Sequence, residues 1–233
     1  MFASFKQRSY RLERLDTGDY TLEEYTKWQR EMNAIHRVFG ETRALRNSLV
    51  SEILASREPQ VSILDVGAGS GELLRTLSKS LNGKKAFLAG VELDAEAARS
   101  IRNIKSGCEL VAVRSDAMQL AFADDSFDYA FCTLILHHLS DEQAVTMLCE
   151  MSRVAKKKIF VVDLNRSRVA YYFYKIASRI FLQRLTQEDG ALSILRSFRP
   201  DEMRVLAEKA CLTDISIQNS KANRLILSGS KSK

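Results

Sequence analysis

Residues that commonly build metal sites and disulfide frameworks are scarce in this chain. Its 233 residues include only 4 cysteines and 3 histidines. Neither set has the spacing of zinc ligands or of a C-x-x-C pair. Scattered cysteines of this kind are typical of free thiols in a reducing compartment. We therefore expect no bound metal, no disulfide framework and a cytoplasmic location.

Proline and long apolar runs are also scarce. The chain has 2 prolines, which excludes a proline-rich linker. Its longest mostly apolar stretch, 129–139, is too short to span a bilayer, and its first residues lack the apolar segment of a secretory signal. A formal net charge of +6 is compatible with an anionic partner but identifies none.

Short apolar runs alternate with helical patterns between residues 61 and 163. The strand candidates are 61–66, 86–91, 109–113, 127–133 and 158–162, and the helix candidates are 72–81, 95–104 and 141–154. This alternation predicts an α/β fold with a doubly wound, Rossmann-like sheet of mostly parallel strands. Residues 213–218 and 224–228 leave no room for a crossover helix between them, so we expect an antiparallel last strand.

The pattern of the chain changes near residue 58. Residues 1–58 are predicted to form an N-terminal helical cap, and 59–233 the second domain. Within the second domain, residues 164–199 are predicted to form a helical lid insertion before the last helix. In doubly wound sheets, ligands bind beyond the carboxyl ends of the strands. The candidate site residues are therefore those that follow the predicted strands.

A glycine-rich loop follows the first predicted strand and opens a helix. Gly67, Gly69 and Gly71 form a G-x-G-x-G pattern, and glycine permits a left-handed backbone and a close approach to a ligand. The dinucleotide fingerprint requires a different spacing, G-x-G-x-x-G. Asp65 just upstream and Glu72 at the helix start are poor neighbours for phosphates. The loop suits a ligand whose middle is cationic or carries hydroxyls.

Carboxylates also follow the second and third strands. Glu92 is positioned to accept the hydroxyls of a ribose, and Asp116 to accept from an adenine amine while Met118 packs on the ring. Each alone is equally compatible with a helix cap or a solvated loop end. Three such signals at successive strand ends predict an adenosyl ligand.

These segments resemble the class I S-adenosylmethionine-dependent methyltransferases. The resemblance lies in 64–71 (LDVGAGSG), 90–94 (GVELD), 115–131 (SDAMQLAFADDSFDYAF) and 134–143 (LILHHLSDEQ). Within that family, 124–141 looks like the ubiquinone- and menaquinone-biosynthesis type. The tail at 163–203 is similar to a bacterial subgroup associated with polyketide and phenolic-lipid pathways.

The resemblance implies S-adenosylmethionine as cofactor and S-adenosylhomocysteine as product. It places the methionine moiety at the three glycines, the ribose at Glu92 and the adenine at Asp116 and Ala117. The full predicted cofactor set is Asp65, Gly67, Ala68, Gly69, Gly71, Glu92, Leu93, Asp116, Ala117, Met118 and Cys132.

The segment after the fourth strand limits the classes of molecule that can accept the methyl group. Residues 131–135 lack the Pro-Pro-aromatic motif of base-amine methyltransferases, and Asp163 has no second acidic neighbour to hold a metal. His137 and His138 are candidate catalytic bases for a phenol or an activated carbon, although either imidazole is equally able to hold the loop by a hydrogen bond. We expect a small, largely apolar acceptor, in which a phenolic or quinone-like oxygen or carbon of a lipid or polyketide-type metabolite is methylated. The alternative is RNA methylation, with docking through the basic insertion.

The region 156–184 is strongly basic. It carries eight Lys and Arg residues against one carboxylate, Asp163. A continuous helix is predicted over 166–185, with Arg168, Lys175 and Arg179 on one face. The opposite side is apolar and consists of Val169, Phe173, Ile176, Ala177, Ile180 and Phe181.

Three interpretations of this helix remain open: a lid over the substrate, contact with an anionic membrane surface, and RNA docking. Arg184 on the apolar side argues against a clean membrane face, and nucleic acid is the least favoured partner. The predicted substrate-binding residues are His36, Tyr171, Tyr172, Asp189 and Ser193, the last two from their loop position. The sequence assigns no oligomeric state.

Overall fold

The computed structural model describes residues 5–39, 41–81, 83–102 and 107–232, without the side chains of residue 33 and residues 36–39. Its centre is a seven-stranded sheet in the order β3-β2-β1-β4-β5-β7-β6. The strands are β1 (Gln60–Val66), β2 (Lys85–Glu92), β3 (Glu109–Arg114), β4 (Phe127–Thr133), β5 (Ala155–Leu164), β6 (Leu212–Ser220) and β7 (Arg224–Lys231).

Ten α-helices lie around the sheet among the described residues. They are α1 (Arg14–Thr17), α2 (Leu22–Phe39), α3 (Glu41–Leu45), α4 (Ser51–Ala55), α5 (Glu72–Ser80), α6 (Ala95–Arg102), α7 (Asp141–Val154), α8 (Arg168–Phe181), α9 (Arg184–Arg196) and α10 (Pro200–Lys209). A π-helical turn, Arg46–Val50, joins α3 to α4, and a 3₁₀ turn, Leu136–His138, precedes α7.

The strand pairing confirms the predicted fold class. β1 to β5 pair in parallel with one another, and β7 lies antiparallel between β5 and β6. The helix starts follow local chemistry: Ser140 and Gln143 form a capping box at α7, and Pro200 stands in the first turn of α10.

Apolar side chains cover both faces of the sheet. One core lies under α7 and α10. The other lies under α5, α6 and the segment 44–53. A buried ion pair between Glu41 and Arg224, with Nη2 to Oε1 at 2.6 Å, also ties α3 to β7. The predicted domain boundary at residue 58 stays a prediction, but buried side chains of 44–53 pack in the same core as β1.

The prediction of one helix over 166–185 is wrong. The chain forms α8 and α9, with extended backbone at Leu182 and Gln183. The Gln183 backbone N–H donates to Glu31 Oε1 at 3.0 Å, and its side-chain amide donates to the carbonyl of Glu24 at 2.8 Å. Both acceptors belong to α2. These long-range bonds replace the local helical ones, which is why the sequence pattern did not reveal the break.

Candidate active site

The glycine loop between β1 and α5 is held against β2. The backbone N–H groups of Gly67 and Ala68 donate to the carbonyl of Val91 at 2.8 and 2.9 Å. Gly67, Gly69 and Gly71 have left-handed φ values of 71°, 53° and 76°, which favour glycine. A Cβ on Gly67 would lie 1.8 Å from Ile135 Cδ1, whereas one on Gly69 would meet nothing within 4 Å. The loop is therefore packed on the Gly67 side and open at Gly69.

Asp65 lies at the end of β1, directly beneath this loop. Its side chain is buried, with 1% exposure, and neither carboxylate oxygen has a hydrogen-bond partner in the described part of the chain. Burial, with a smaller contribution from Glu92, raises the pKa of Asp65 well above its ordinary value. Buried polar groups are nearly always satisfied, so this carboxylate indicates a site for a cationic or hydrogen-bond-donating ligand.

The ends of β2 and β3 continue the same edge of the sheet. Glu92 Oε2 accepts the Gly69 N–H at 2.9 Å and Oε1 accepts the Leu93 N–H at 2.9 Å. Asp116 Oδ1 accepts the Met118 N–H at 2.8 Å. The sheet order places β1, β2 and β3 side by side. The three predicted cofactor-binding signals therefore line one edge, and the carboxylates of Glu92 and Asp116 anchor the loops at this edge.

The remaining predicted cofactor residues differ in their exposure. Ala117 and Met118 are half-buried, Leu93 is exposed, and Cys132 is fully buried within the core between β1 and β5. Burial, together with Asp163 and Asp65 nearby, raises the pKa of the Cys132 thiol well above its ordinary value. The Cys132 side chain is therefore a core thiol, and only the backbone of Cys132 lies near the carboxyl end of β4.

His137 and Asp163 form a buried pair at the ends of β4 and β5. His137 Nδ1 lies 2.6 Å from Asp163 Oδ1, and the backbone N–H groups of Leu164 and His137 donate to the same carboxylate at 2.6 and 3.2 Å. Burial would raise the pKa of Asp163, but His137 and these hydrogen bonds outweigh it and lower that pKa. The ionised carboxylate favours the tautomer with its proton on Nδ1, in which Nε2 is the acceptor.

The other histidine of the pair faces an acidic group from the N-terminal segment. A ring nitrogen of His137, one of His138 and an oxygen of Glu13 lie within 4.8 Å of one another. His138 Nδ1 is 3.5 Å from Asp16 Oδ1. Burial raises the pKa of Glu13. The Arg196 guanidinium lies 3.8 Å from Glu13, so a positively charged side chain is already next to this cluster. The absence of a metal ion stays a prediction.

Two arginines hold the turn that carries the histidines. Arg8 Nη2 donates to the carbonyls of His137 and Leu139 at 3.0 and 2.9 Å. Arg196 donates to the carbonyls of His137 and His138 at 3.1 and 2.8 Å. These arginines, with Glu13, Asp16 and the positioning role of Asp163, were missed by sequence reasoning. Only Asp163 carried a usable signal, its place at a strand end.

The predicted substrate-binding residues are dispersed. Tyr171 packs edge-on against Phe5 at 5.4 Å between ring centroids, and Tyr172 is 46% exposed. The Ser193 hydroxyl donates to Glu13 Oε1 at 2.8 Å, which brings it to the histidine cluster. His36 belongs to α2, and its side chain lies outside the described residues.

The placement of Asp189 in a loop is wrong. Asp189 lies inside α9, and its carboxylate accepts the backbone N–H groups of Arg14 and Leu15 at 2.9 and 3.1 Å. It therefore caps the first turn of α1 and attaches the N-terminal segment to α9. Ser193, predicted from the same loop, also lies in α9.

The apolar side of α8 does not pack against the rest of the described structure, and the interpretation of this helix as a lid over the substrate stays a prediction. The side chains on that side are solvent-exposed among the described residues, and Val169, Phe173, Ile176, Ile180 and Phe181 are between 66% and 80% exposed. The face that packs inward instead carries Tyr171 and Ser178. Phe5 and Ile194 cover that inward face, because they supply the other buried side chains of its small core.

Comparison with known proteins agrees with this geometry. The family described as "Methyltransferase domain" matches residues 63–158. A ubiquinone biosynthesis O-methyltransferase from Paraburkholderia phymatum is 28% identical over 70% of this chain and 69% of its own length. A demethylmenaquinone methyltransferase from Staphylococcus aureus is 33% identical over 48% of this chain and 46% of its own length.

The fold is also found in solved structures. A magnesium protoporphyrin IX methyltransferase from Synechocystis PCC 6803, solved with S-adenosylhomocysteine bound, has a TM-score of 0.59 at 14% identity. The similarity covers 91% of this chain and 99% of that one. At this identity the likeness supports the architecture alone.

Proposed function

The chain belongs to the class I S-adenosylmethionine-dependent methyltransferases, and from that premise we propose that it methylates a phenolic oxygen of a small, largely apolar aromatic molecule. Relatives named for ubiquinone and menaquinone biosynthesis support an acceptor of the quinone-precursor type. The observation that carries the choice of oxygen is the buried pair of His137 and Asp163.

The residues at the ends of β1 to β3 fit the cofactor. The unpartnered Asp65 carboxylate suits its ammonium group, and the open side of Gly69 leaves room for its chain. Glu92 is suited to the ribose hydroxyls, and Asp116 with Met118 to the adenine. When bound, the sulfonium supplies an electrophilic methyl group. Holding the acceptor in line with it provides much of the rate enhancement.

His137 is the proposed general base. Asp163 fixes the ring and its tautomer, so that Nε2 takes the proton of the acceptor hydroxyl as the oxygen–methyl bond forms. Positioned bases of this kind contribute roughly 10²–10⁴-fold to a rate. His137 is only 3% exposed, and Glu13 lies against the histidine pair. The acceptor therefore reaches Nε2 when the segment that carries Glu13 moves aside.

RNA as acceptor has less support. Several cations of the basic region are engaged in ion pairs: Lys157 with Glu58, Lys158 with Glu52, and Arg166 with Glu202. The exposed side chains next to the remaining cations are a mixture of aliphatic ones, such as Ile176 and Ile180, and the aromatic Phe173 and Phe181. Only the aromatic ones offer a flat face for base stacking.

Product analysis with a labelled methyl donor tests the acceptor. We would incubate the protein with an alkylated catechol, the corresponding dimethyl ether and a structured RNA, and locate the label by mass spectrometry and NMR. A labelled methyl ether on the catechol oxygen is expected, with no labelled product from the other two. Label on a ring carbon, label in RNA, or no transfer to any of them while the cofactor binds would each contradict the proposal.

Substitution of the two histidines tests the base. His137→Gln is expected to lower kcat by at least 100-fold. His138→Gln, in a side chain at the edge of the cluster, should largely retain kcat. If His138→Gln rather than His137→Gln caused the large loss, the base would be His138.

A further inference from the structure

The outward face of α8 is an exposed apolar stripe. Val169, Phe173, Ile176 and Ile180 recur at i, i+4, i+7 and i+11, which places them on one side of the helix. All four are exposed. A monomeric protein rarely leaves so many large apolar side chains together in water. Such a stripe is typical of a surface that binds a partner.

Cations lie along one margin of this stripe. Arg168, Lys175 and Arg179 are exposed, at i, i+7 and i+11, and no carboxylate among the described residues lies within 4 Å of them. The sequence has no Asp or Glu between Asp163 and Glu188. Arg184, which argued against a clean apolar face in a single long helix, begins α9 and does not belong to α8.

We propose that the outward face of α8 binds an anionic phospholipid surface. Helices at a membrane surface combine an apolar face, which enters the boundary of the acyl chains, with Lys and Arg at the level of the headgroups. Each cation near such a surface strengthens binding. No helix in the described ranges is long and apolar enough to cross a bilayer.

Charge favours a membrane over a second copy of the chain. A two-fold dimer through α8 would bring the same face of both subunits together. It would place six unpaired cations at one contact, without an acidic residue on α8 to offset them. An anionic bilayer instead complements all three cations and covers the apolar stripe at the same time.

The position of α8 adds a second argument. β5 ends at Leu164, Ser167 caps α8, and α8 begins at Arg168, so the helix starts at the edge of the sheet where Asp163 and His137 lie. A protein docked through α8 brings this edge close to the bilayer. This arrangement suits an acceptor that partitions into lipid.

Vesicle sedimentation without substrate tests the docking surface independently of the proposed reaction. We would measure partitioning into phosphatidylcholine vesicles with and without phosphatidylglycerol. The variants are Arg168→Gln/Lys175→Gln/Arg179→Gln for charge and Phe173→Ser/Ile176→Ser/Ile180→Ser for the stripe. The matched control is Lys79→Gln/Arg99→Gln/Lys209→Gln, which removes three cations from α5, α6 and α10. Circular dichroism confirms that each variant is folded.

Wild type and the control are expected to sediment with vesicles that contain phosphatidylglycerol. With neutral vesicles, both proteins should remain in the supernatant. The charge variant should bind about 100-fold more weakly, and the stripe variant at least tenfold more weakly. Equal binding by the charge variant and the control would overturn the proposal. So would a stable dimer that the stripe variant dissociates, or tight binding to RNA that the charge variant abolishes.

Discussion

Replacing Asp163 with asparagine tests whether the pair of His137 and Asp163 serves catalysis or only the stability of the fold. The carboxylate accepts three donors: His137 Nδ1, the Leu164 N–H and the His137 N–H. An amide of the same shape has only one acceptor oxygen and no charge, so at least one donor loses its partner. The Nδ1 proton is then no longer fixed, and Nε2 ceases to be a reliable base.

The expected loss is large for catalysis and moderate for stability. Loss of a correctly held general base should lower kcat by roughly 10²–10⁴-fold. One charge-assisted hydrogen bond contributes about 2 kcal/mol, which lowers the melting temperature of a chain of this size by about 4–8 °C. Cofactor affinity should change less than twofold, because Asp163 is two strands away from Asp65.

The assay combines single-turnover methyl transfer, calorimetric cofactor binding and thermal unfolding. Asp128→Asn is the matched control. This β4 aspartate accepts the Ser62 N–H and hydroxyl at 2.7 and 3.0 Å, at the opposite end of the strand from His137. The control should lose stability but keep kcat. Similar kcat values for the two variants would refute the role assigned to the pair.

Acid should reduce the stability difference between wild type and Asp163→Asn. The pKa of Asp163 is lowered in the folded protein. Its stabilising contribution is therefore fully present above the ordinary aspartate value near ~3.9 and is lost as the pH falls through the lower folded value. Denaturant unfolding between pH 7 and pH 3 measures this, and a constant difference would contradict the assigned shift.

Four other substitutions have expected outcomes. Asp65→Asn should abolish measurable cofactor binding yet raise the melting temperature of the ligand-free protein at neutral pH, because burial raises the pKa of Asp65 and its ionisation opposes folding; equal melting temperatures at pH 7 would contradict this. Gly67→Ala should destabilise the protein by more than Gly69→Ala, since only the former meets Ile135, while Gly69→Ala should mainly weaken cofactor binding in calorimetry. Glu41→Ala should cost about 3–5 kcal/mol in denaturant unfolding, because it leaves the Arg224 charge buried without its partner, and a loss below ~1 kcal/mol would show that Arg224 finds water.

The sequence was most informative where structure depends on local pattern. The bounds of β4 and α7 follow directly from apolar periodicity and from the capping box at Ser140. The carboxylates at Glu92 and Asp116 were found because parallel strands bring their ends to one edge. The roles assigned to these carboxylates in cofactor binding stay predictions.

Features that depend on distant contacts were not predictable from local pattern. The break between α8 and α9 is caused by bonds from Gln183 to α2. The exposure of the α8 stripe was missed because periodicity shows that a helix has two faces and does not show which one meets the protein. The N-terminal residues Glu13 and Asp16 reach the histidines across more than 120 positions of sequence.

The turn that carries His137 is held from two remote parts of the chain, by Arg8 and Arg196. The geometry of this turn therefore depends on residues from a longer stretch of the chain than the sheet beneath it does. A fragment of the chain that still binds the methyl donor need not be able to transfer the methyl group. A truncation that spares every strand but removes the first dozen residues should yield a folded receptor for the donor with a misplaced base.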